Sequence, residues 1–98
     1  MTELNTTQLD SAEYMQTEED IADYIDAVLG EDDPALVAHA LGVIARAKGM
    51  SQIARETGLG RESLYKALSA EGNPNFATVF KVIKALGLRI HVTPATHP

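Results

Sequence analysis

The stretch SQIARETGLGRESLYKALS, residues 51–69, decides the fold that this sequence predicts. It divides into two short helices, at residues 52–57 and 61–68, joined by the turn Gly58-Leu59-Gly60. Ala54 is small where two such helices would cross, and Gly58 can take the positive φ that a tight turn between them requires. Apolar residues that would face a core recur around the turn: Ile53, Leu59, Leu64 and Leu68. This combination predicts a helix-turn-helix, with two short helices of an unrelated bundle as the alternative.

The outward positions of the second helix are polar, mixed in type and close to its N-terminus. In this motif such positions enter the major groove of DNA. Arg61 is the candidate for bidentate pairing with guanine, and Glu62 for accepting from the cytosine amino group. Ser51 and Gln52 are expected to hold a phosphate with their side chains and free backbone N–H groups. The predicted DNA-binding residues are Ser51, Gln52, Gly60, Arg61, Glu62, Ser63, Tyr65 and Lys66. For any one of them the alternative is a solvated surface residue.

The charge of the chain is divided between its two ends. Its net charge is -6, yet residues 1–33 contain eleven acidic residues and no Lys or Arg, while residues 34–98 contain three acidic and eight basic residues. The acidic third therefore carries -11 and the rest +5. Such asymmetry suggests two partners, or one partner and one internal brake. Because one domain of this charge would bind DNA weakly, we expect two copies to read a palindrome, with recognition helices about 34 Å apart.

The segments around the motif predict an all-α, lambda-repressor-like bundle of about five helices. Residues 1–16 carry few periodic apolar positions and are expected to be a flexible N-terminus. Residues 17–30 form an acidic amphipathic helix capped by Thr17. Residues 33–87 form the helix-turn-helix domain, with a helix after Asp33-Pro34, Ser51 as the cap of the next helix, and Asn75 as the cap of a last helix. The apolar stripe of the acidic helix consists of Ile21, Tyr24, Ile25, Val28 and Leu29.

The C-terminal segment has a different periodicity. Residues 88–93 alternate apolar and polar side chains, which predicts a β-strand carrying Leu88, Ile90 and Val92 on one face. Pro94 ends it, and residues 94–98 are a tail. No other segment has strand periodicity, so we expect pairing with a second chain in a homodimer. A frayed extended tail is the alternative, and a dimer packed through helices is equally compatible with the sequence.

Other chemistry has little support in the sequence. There is no Cys, and His39, His91 and His97 lack metal-ligand spacing, so neither a metal nor a cofactor is expected and the protein is not expected to be an enzyme. The N-terminus has no secretory signal pattern. The longest apolar stretch, residues 35–45, is interrupted by His39 and is shorter than the roughly 20 residues that span a bilayer. A cytoplasmic protein without membrane contact is expected.

A family resemblance adds to these expectations. The sequences DPALVAHALGVIARAKG (33–49) and GMSQIARETGLGRESLYKALSAEGNPNFATVFKVIKALGL (49–88) resemble the HigA-like probable addiction-module antidotes of the Xre-type helix-turn-helix family. The acidic helix EEDIADYIDAVL resembles the segment that precedes the motif there. Gly60 departs from the pattern, which commonly has a capping Ser. The resemblance implies an antitoxin that neutralises a small basic RelE/ParE-like toxin by direct binding and represses its own operon.

The acidic helix is the candidate toxin-binding segment, because acid suits a basic partner. We expect contact through Tyr24, Ile25 and Leu29, with the acidic residues as a rim. The alternative is that Ile21, Tyr24, Ile25 and Val28 pack on the protein's own core. Two other functions remain open: a free-standing dimeric helix-turn-helix regulator without a toxin partner, and a module used for protein contacts. The sequence leaves open the operator, the identity of the toxin and the effect of toxin on DNA binding.

Overall fold

Five helices make up the secondary structure of the computed structural model, which describes residues 17–95. They are α1 (Glu18–Leu29), α2 (Pro34–Lys48), α3 (Met50–Thr57), α4 (Arg61–Ala67) and α5 (Phe76–Ala85). Residues 17–95 contain no strand. The prediction of an all-α bundle of about five helices is therefore confirmed. The predicted flexible segment 1–16 and residues 96–98 of the predicted tail lie outside the described residues.

Three helices begin at the polar residues that the sequence predicts as caps. The Thr17 hydroxyl oxygen accepts a hydrogen bond from the backbone N–H of Asp20 at 3.0 Å. The Asp33 carboxylate accepts from the N–H of Ala35 at 3.1 Å, and Pro34 follows as the first residue of α2. Asn75 accepts from the N–H of Thr78 at 2.9 Å at the start of α5. These bonds satisfy donors that a helix start leaves free, which explains why the helices begin there.

The predicted cap of α3 is wrong. Ser51 lies inside the helix, which begins at Met50 with Gly49 as its N-cap and without a side-chain cap. Gly49 has φ of 111°, a conformation open to glycine, and its N–H closes α2 by donating to the Ala45 carbonyl at 2.9 Å. Met50 is only 4% exposed. Because burying Met50 is favourable, the helix starts one residue before the polar side chain that resembled a cap.

The core lies around α2, which contacts each of the other four helices. Leu41 and Ile44 of α2 are almost completely buried, as are Leu64 and Leu68 from α4 and the residue after it. Gly42 allows this packing, because a methyl group at its Cα would overlap the Leu68 carbonyl oxygen. The buried apolar residues of the core cluster are Ile21, Ile25, Val28, Ala40, Leu41, Ile44, Ala45, Met50, Ile53, Leu64, Leu68, Val82 and Leu86.

The end of α5 has the hydrogen bonds of a Schellman motif. Gly87 has φ of 81°, and its N–H donates to the Lys84 carbonyl at 3.0 Å. The N–H of Leu88 donates to the Ile83 carbonyl at 3.1 Å, and the Leu88 side chain packs against the core. The Glu18 side chain lies where a Cβ on Gly87 would be, so the start of α1 is packed against the end of α5.

The predicted C-terminal strand is not formed within the chain. Residues 88–95 have no regular secondary structure. Leu88, predicted to lie in a dimer strand, packs half-buried on the core of its own chain. Ile90 and Val92 are 42% and 85% exposed. A strand needs a partner for its backbone groups, and residues 17–95 supply no second strand, so pairing between chains stays a prediction.

Candidate functional site

The turn between α3 and α4 has the geometry that the sequence predicts. Gly58 is left-handed, with φ of 76°, and its N–H donates to the Ala54 carbonyl at 2.9 Å. Thr57, which the sequence analysis missed, stabilises the turn. Its buried hydroxyl donates to the Ile53 carbonyl at 2.8 Å and accepts from the N–H of Leu59 at 3.2 Å. The signal was present: Thr57 lies four residues after buried Ile53, on the inner face of α3, directly before a glycine.

The polar side chains of α4 form one exposed surface. Leu64 is buried, at 1% exposure, and orients the helix. Arg61 lies beside Tyr65, with 5.8 Å between the guanidinium carbon and the ring centroid. Gly60 precedes the helix in extended conformation, and no side chain caps the first turn. We call the exposed residues of this helix the α4 surface: Arg61, Glu62, Ser63, Tyr65 and Lys66.

The start of α3 matches its predicted role in part. Ser51 and Gln52 are exposed. The expectation of free backbone N–H groups is wrong for Gln52, whose N–H donates to the Gly49 carbonyl at 3.0 Å because the helix begins earlier than predicted. The Gln52 side-chain amide donates to the Glu56 carboxylate at 3.1 Å. A phosphate held by Gln52 would have to replace that bond, whereas the Ser51 hydroxyl is open.

The three predicted toxin-binding residues lie in different environments. Ile25 is 6% exposed and belongs to the core, together with Ile21 and Val28. Tyr24 is half-buried against that core. Leu29, at the end of α1, is 54% exposed. The prediction of a contacting Ile25 is therefore corrected: the packing alternative holds for Ile21, Ile25 and Val28, and of the three predicted contacts Leu29 is the most open to a partner.

Acidic side chains cover the outside of α1 and the turn after it. All acidic residues between 17 and 33 are exposed, and no basic residue lies among them: Glu18, Glu19, Asp20, Asp23, Asp26, Glu31, Asp32 and Asp33. Residues 34–95 carry three acidic and eight basic residues. In the folded protein the acidic end is therefore packed directly onto a basic domain through the apolar face of α1. The net negative charge and the net positive charge therefore lie on different segments of the same folded domain.

Residues 17–95 contain neither a cluster of metal ligands nor a membrane-spanning helix. Among residues 17–95, no group of three His, Asp or Glu side chains is arranged to hold a metal ion. His39 and His91 are exposed, on α2 and in the C-terminal segment. None of the five helices has the length and apolar character needed to cross a bilayer.

Comparison with known proteins identifies the family. A family model described as "probable addiction module antidote protein" matches residues 5–94, nearly the whole chain. The chain belongs to this antidote family. A Haemophilus influenzae protein (strain ATCC 51907 / DSM 11121 / KW20 / Rd), described as "uncharacterized protein", is similar to this antidote-family chain, with 57% identity over 83 residues, which is 85% of the chain and 86% of the relative. No solved structure matches significantly. The family resemblance read from residues 33–88 is thus confirmed at the level of the antidote family.

Proposed function

We propose that this protein is the antitoxin of a type II toxin–antitoxin module. It binds and neutralises a small basic RelE/ParE-like toxin, and it represses its own operon as a HigA-like, Xre-type helix-turn-helix protein. The observation that carries the proposal is the match of the antidote family over residues 5–94. Antidote activity requires a toxin partner, and the α4 surface supplies a second, DNA-binding activity.

The DNA-binding half of the proposal rests on α4. Arg61 is exposed near the start of the helix, where side chains reach base edges in a helix-turn-helix. Its planar guanidinium group matches guanine O6 and N7. The Tyr65 ring beside it already restricts the Arg61 side chain in the free protein, so less conformational entropy is lost on binding. Lys66 adds a cation for a phosphate. Glu62 adds discrimination rather than affinity, since an acidic residue is repelled by the DNA backbone.

The toxin-binding half rests on charge. Eight exposed acidic residues lie between residues 17 and 33, without a basic residue among them. Such a surface raises the association rate with a basic protein and disfavours approach of DNA to the same face. The folded chain therefore offers a cationic toxin and an anionic operator different surfaces.

A homodimer follows from the DNA proposal, because palindromic operators are read by two copies. Two apolar features are available for the contact. Phe76 and Phe80 of α5 are 72% and 43% exposed, and their rings are stacked with centroids 5.9 Å apart. Ile90 and Val92 are exposed in the C-terminal segment. The proposed protein is a cytoplasmic, cofactor-free binding protein rather than an enzyme.

A second candidate function is a free-standing dimeric regulator without a toxin. The observation that favours it is the burial of Ile21, Ile25 and Val28, which gives α1 a structural role that needs no partner. The α4 surface would serve both functions equally. A direct test of toxin binding separates them.

The experiment is co-expression of the tagged chain with the product of the small basic reading frame expected next to its gene. The antitoxin proposal predicts that this product arrests growth alone, that the chain restores growth, and that the two co-purify at a fixed ratio. A mobility-shift assay on the upstream DNA at several salt concentrations tests repression, because phosphate contacts make affinity fall as salt rises. A harmless or non-binding neighbour, with DNA binding intact, would establish the free-standing regulator instead.

A further inference from the structure

An apolar groove lies beside the acidic turn. It is bounded by the end of α1, the first turns of α2, α5 and the loop at residues 72–74, and it has a volume of about 650 Å³. We call it the α1–α2 groove. Leu41 at its floor is fully buried, whereas Leu29 at its edge is 54% exposed. The apolar side chains that line it are Leu29, Pro34, Val37, Leu41, Pro74 and Val79.

The rim of the groove is acidic. Asp32 and Asp33 both line it, and Glu31 precedes them in the same turn. The Asp33 carboxylate is occupied with capping α2. The Asp32 carboxylate is exposed and has no hydrogen-bond or ion-pair partner within residues 17–95. Asp32 also has φ of 60°, a conformation that Asp tolerates better than most residues. The groove therefore combines an apolar interior with an unpaired negative charge at its entrance.

The groove suits a protein partner better than the outer face of α1. That face presents acidic residues with Ala22 and Ala27 between them, and it borders a smaller concavity of about 430 Å³, which Asp23, Asp26 and Leu29 share with residues 87–91. Binding energy in protein interfaces concentrates in apolar or aromatic anchors that fill a pocket, while exposed charges mainly speed association. Leu29, the most exposed of the predicted toxin contacts, lies at the edge of the groove.

We propose that the α1–α2 groove is the docking site for the basic toxin. The toxin inserts a bulky apolar side chain flanked by Lys or Arg, which lie against Asp32 and Glu31. This inference rests on the proposed antitoxin function and names its binding surface. It moves the expected toxin contact from Ile25 and the outer face of α1 to the groove, because the groove is larger and more apolar than the concavity beside that face.

The test fills the groove without disturbing the core. Ala35 lines the groove in the first turn of α2 and is exposed, so Ala35→Trp adds bulk inside the groove. Ala27 is exposed on α1 outside the groove, and Ala27→Trp is the matched control. The chain has no Trp, so both variants carry a single one. Binding of each to the purified neighbouring toxin is measured by calorimetry, after circular dichroism and operator binding have shown that both variants fold.

We expect Ala35→Trp to weaken toxin binding about tenfold or more, and Ala27→Trp to change it less than about twofold. Asp32→Asn keeps a residue that accepts this φ and is expected to slow association at low salt, with the difference vanishing at high salt. Amide shifts of the ¹⁵N-labelled wild-type protein give a readout independent of any variant. With toxin bound, the largest shifts should fall on Ala35, Val37 and Val79 rather than on the outer face of α1 at Ala22, Asp23 and Asp26.

The outcomes separate the two proposals. A wild-type chain that does not bind the toxin overturns the antitoxin function and the groove with it. Wild-type binding that Ala35→Trp leaves intact overturns the groove alone. A larger loss with Ala27→Trp assigns the toxin to the outer face of α1. If Ala35→Trp turns a wild-type dimer into a monomer in sedimentation, the groove holds a second copy of this chain, and the proposal is likewise overturned.

Discussion

Truncation of one side chain tests whether the acidic helix is part of the domain or a separate arm. Ile25 is 6% exposed, so Ile25→Ala is expected to lower the free energy of unfolding by about 2–5 kcal/mol, which combines lost burial and a cavity. Leu29, on the same helix, is 54% exposed. About half of the roughly 1.5–3 kcal/mol for burying a leucine is then at stake, so Leu29→Ala should cost only about 0.7–1.5 kcal/mol.

The same reasoning predicts what removal of the whole helix would do. Ile21, Ile25 and Val28 are all buried, and at about 1.5–3 kcal/mol each they contribute roughly 4.5–9 kcal/mol. That is comparable to the total stability of a typical domain, about 5–15 kcal/mol. Deletion of residues 1–30 is therefore expected to unfold the protein, which makes it unsuitable as a test of toxin binding.

Urea unfolding followed by circular dichroism provides the measurement. With a slope near 1 kcal/mol per molar urea, Ile25→Ala should lower the midpoint by about 2 M or more, and Leu29→Ala by about 1 M. The slopes should match, so that midpoints report stability alone. Equal shifts for the two variants, or a folded protein after deletion of residues 1–30, would refute the integration of α1 into the core. The acidic helix would then be free to act as an arm.

Four further predictions concern the proposed DNA-binding surface and two glycines on which the fold depends. Arg61→Ala should weaken operator binding by about 1–3 kcal/mol and relax discrimination at one base pair, measured by mobility shift on single-base operator variants. Lys66→Ala should weaken binding to all sequences alike and reduce the salt slope by about 1. Gly58→Ala should lower the free energy of unfolding by about 1–2 kcal/mol, because Gly58 has a left-handed φ of 76° that alanine disfavours. A methyl group there would meet no neighbouring atom, so the backbone conformation alone sets this cost, and Gly58→Asn should cost less. In Gly42→Ala the added methyl group would overlap the Leu68 carbonyl oxygen, so Gly42→Asn should be no more stable than Gly42→Ala when both are measured by urea unfolding.

Local polar chemistry made most helix starts predictable. Thr17, Asp33 and Asn75 each accept the backbone bond expected of a cap, because such a side chain satisfies the free N–H groups at a helix start without help from the rest of the fold. Local sequence spacing also predicted which side of α4 is buried and which is exposed. Leu64 recurs at core spacing, while Arg61 and Lys66 do not, and burial follows that spacing.

Tertiary packing decided what the sequence could not. Ser51 has the side chain of a cap, yet burial of Met50 begins α3 earlier. The stripe of α1 suits either its own core or a toxin, and an amphipathic pattern does not distinguish between the two. For the C-terminal segment, alternation at residues 88–93 identifies strand-forming side chains but supplies no partner strand. The α1–α2 groove could not be predicted from the sequence either. It forms where the loop at residues 72–74 lies close to the end of α1, and these two segments are far apart in the chain.

That loop places the two proposed surfaces next to each other. Gly72 and Asn73 line the α1–α2 groove, and they also line a second concavity with Ser63 and Lys66 of the α4 surface. A methyl group on Gly72 would overlap backbone oxygens at the end of α4, so the loop is packed tightly against that helix. A toxin in the groove and DNA on α4 would therefore both lie beside one short, closely packed loop. Linkage requires any coupling through it to be reciprocal: the factor by which toxin changes operator affinity equals the factor by which operator changes toxin affinity.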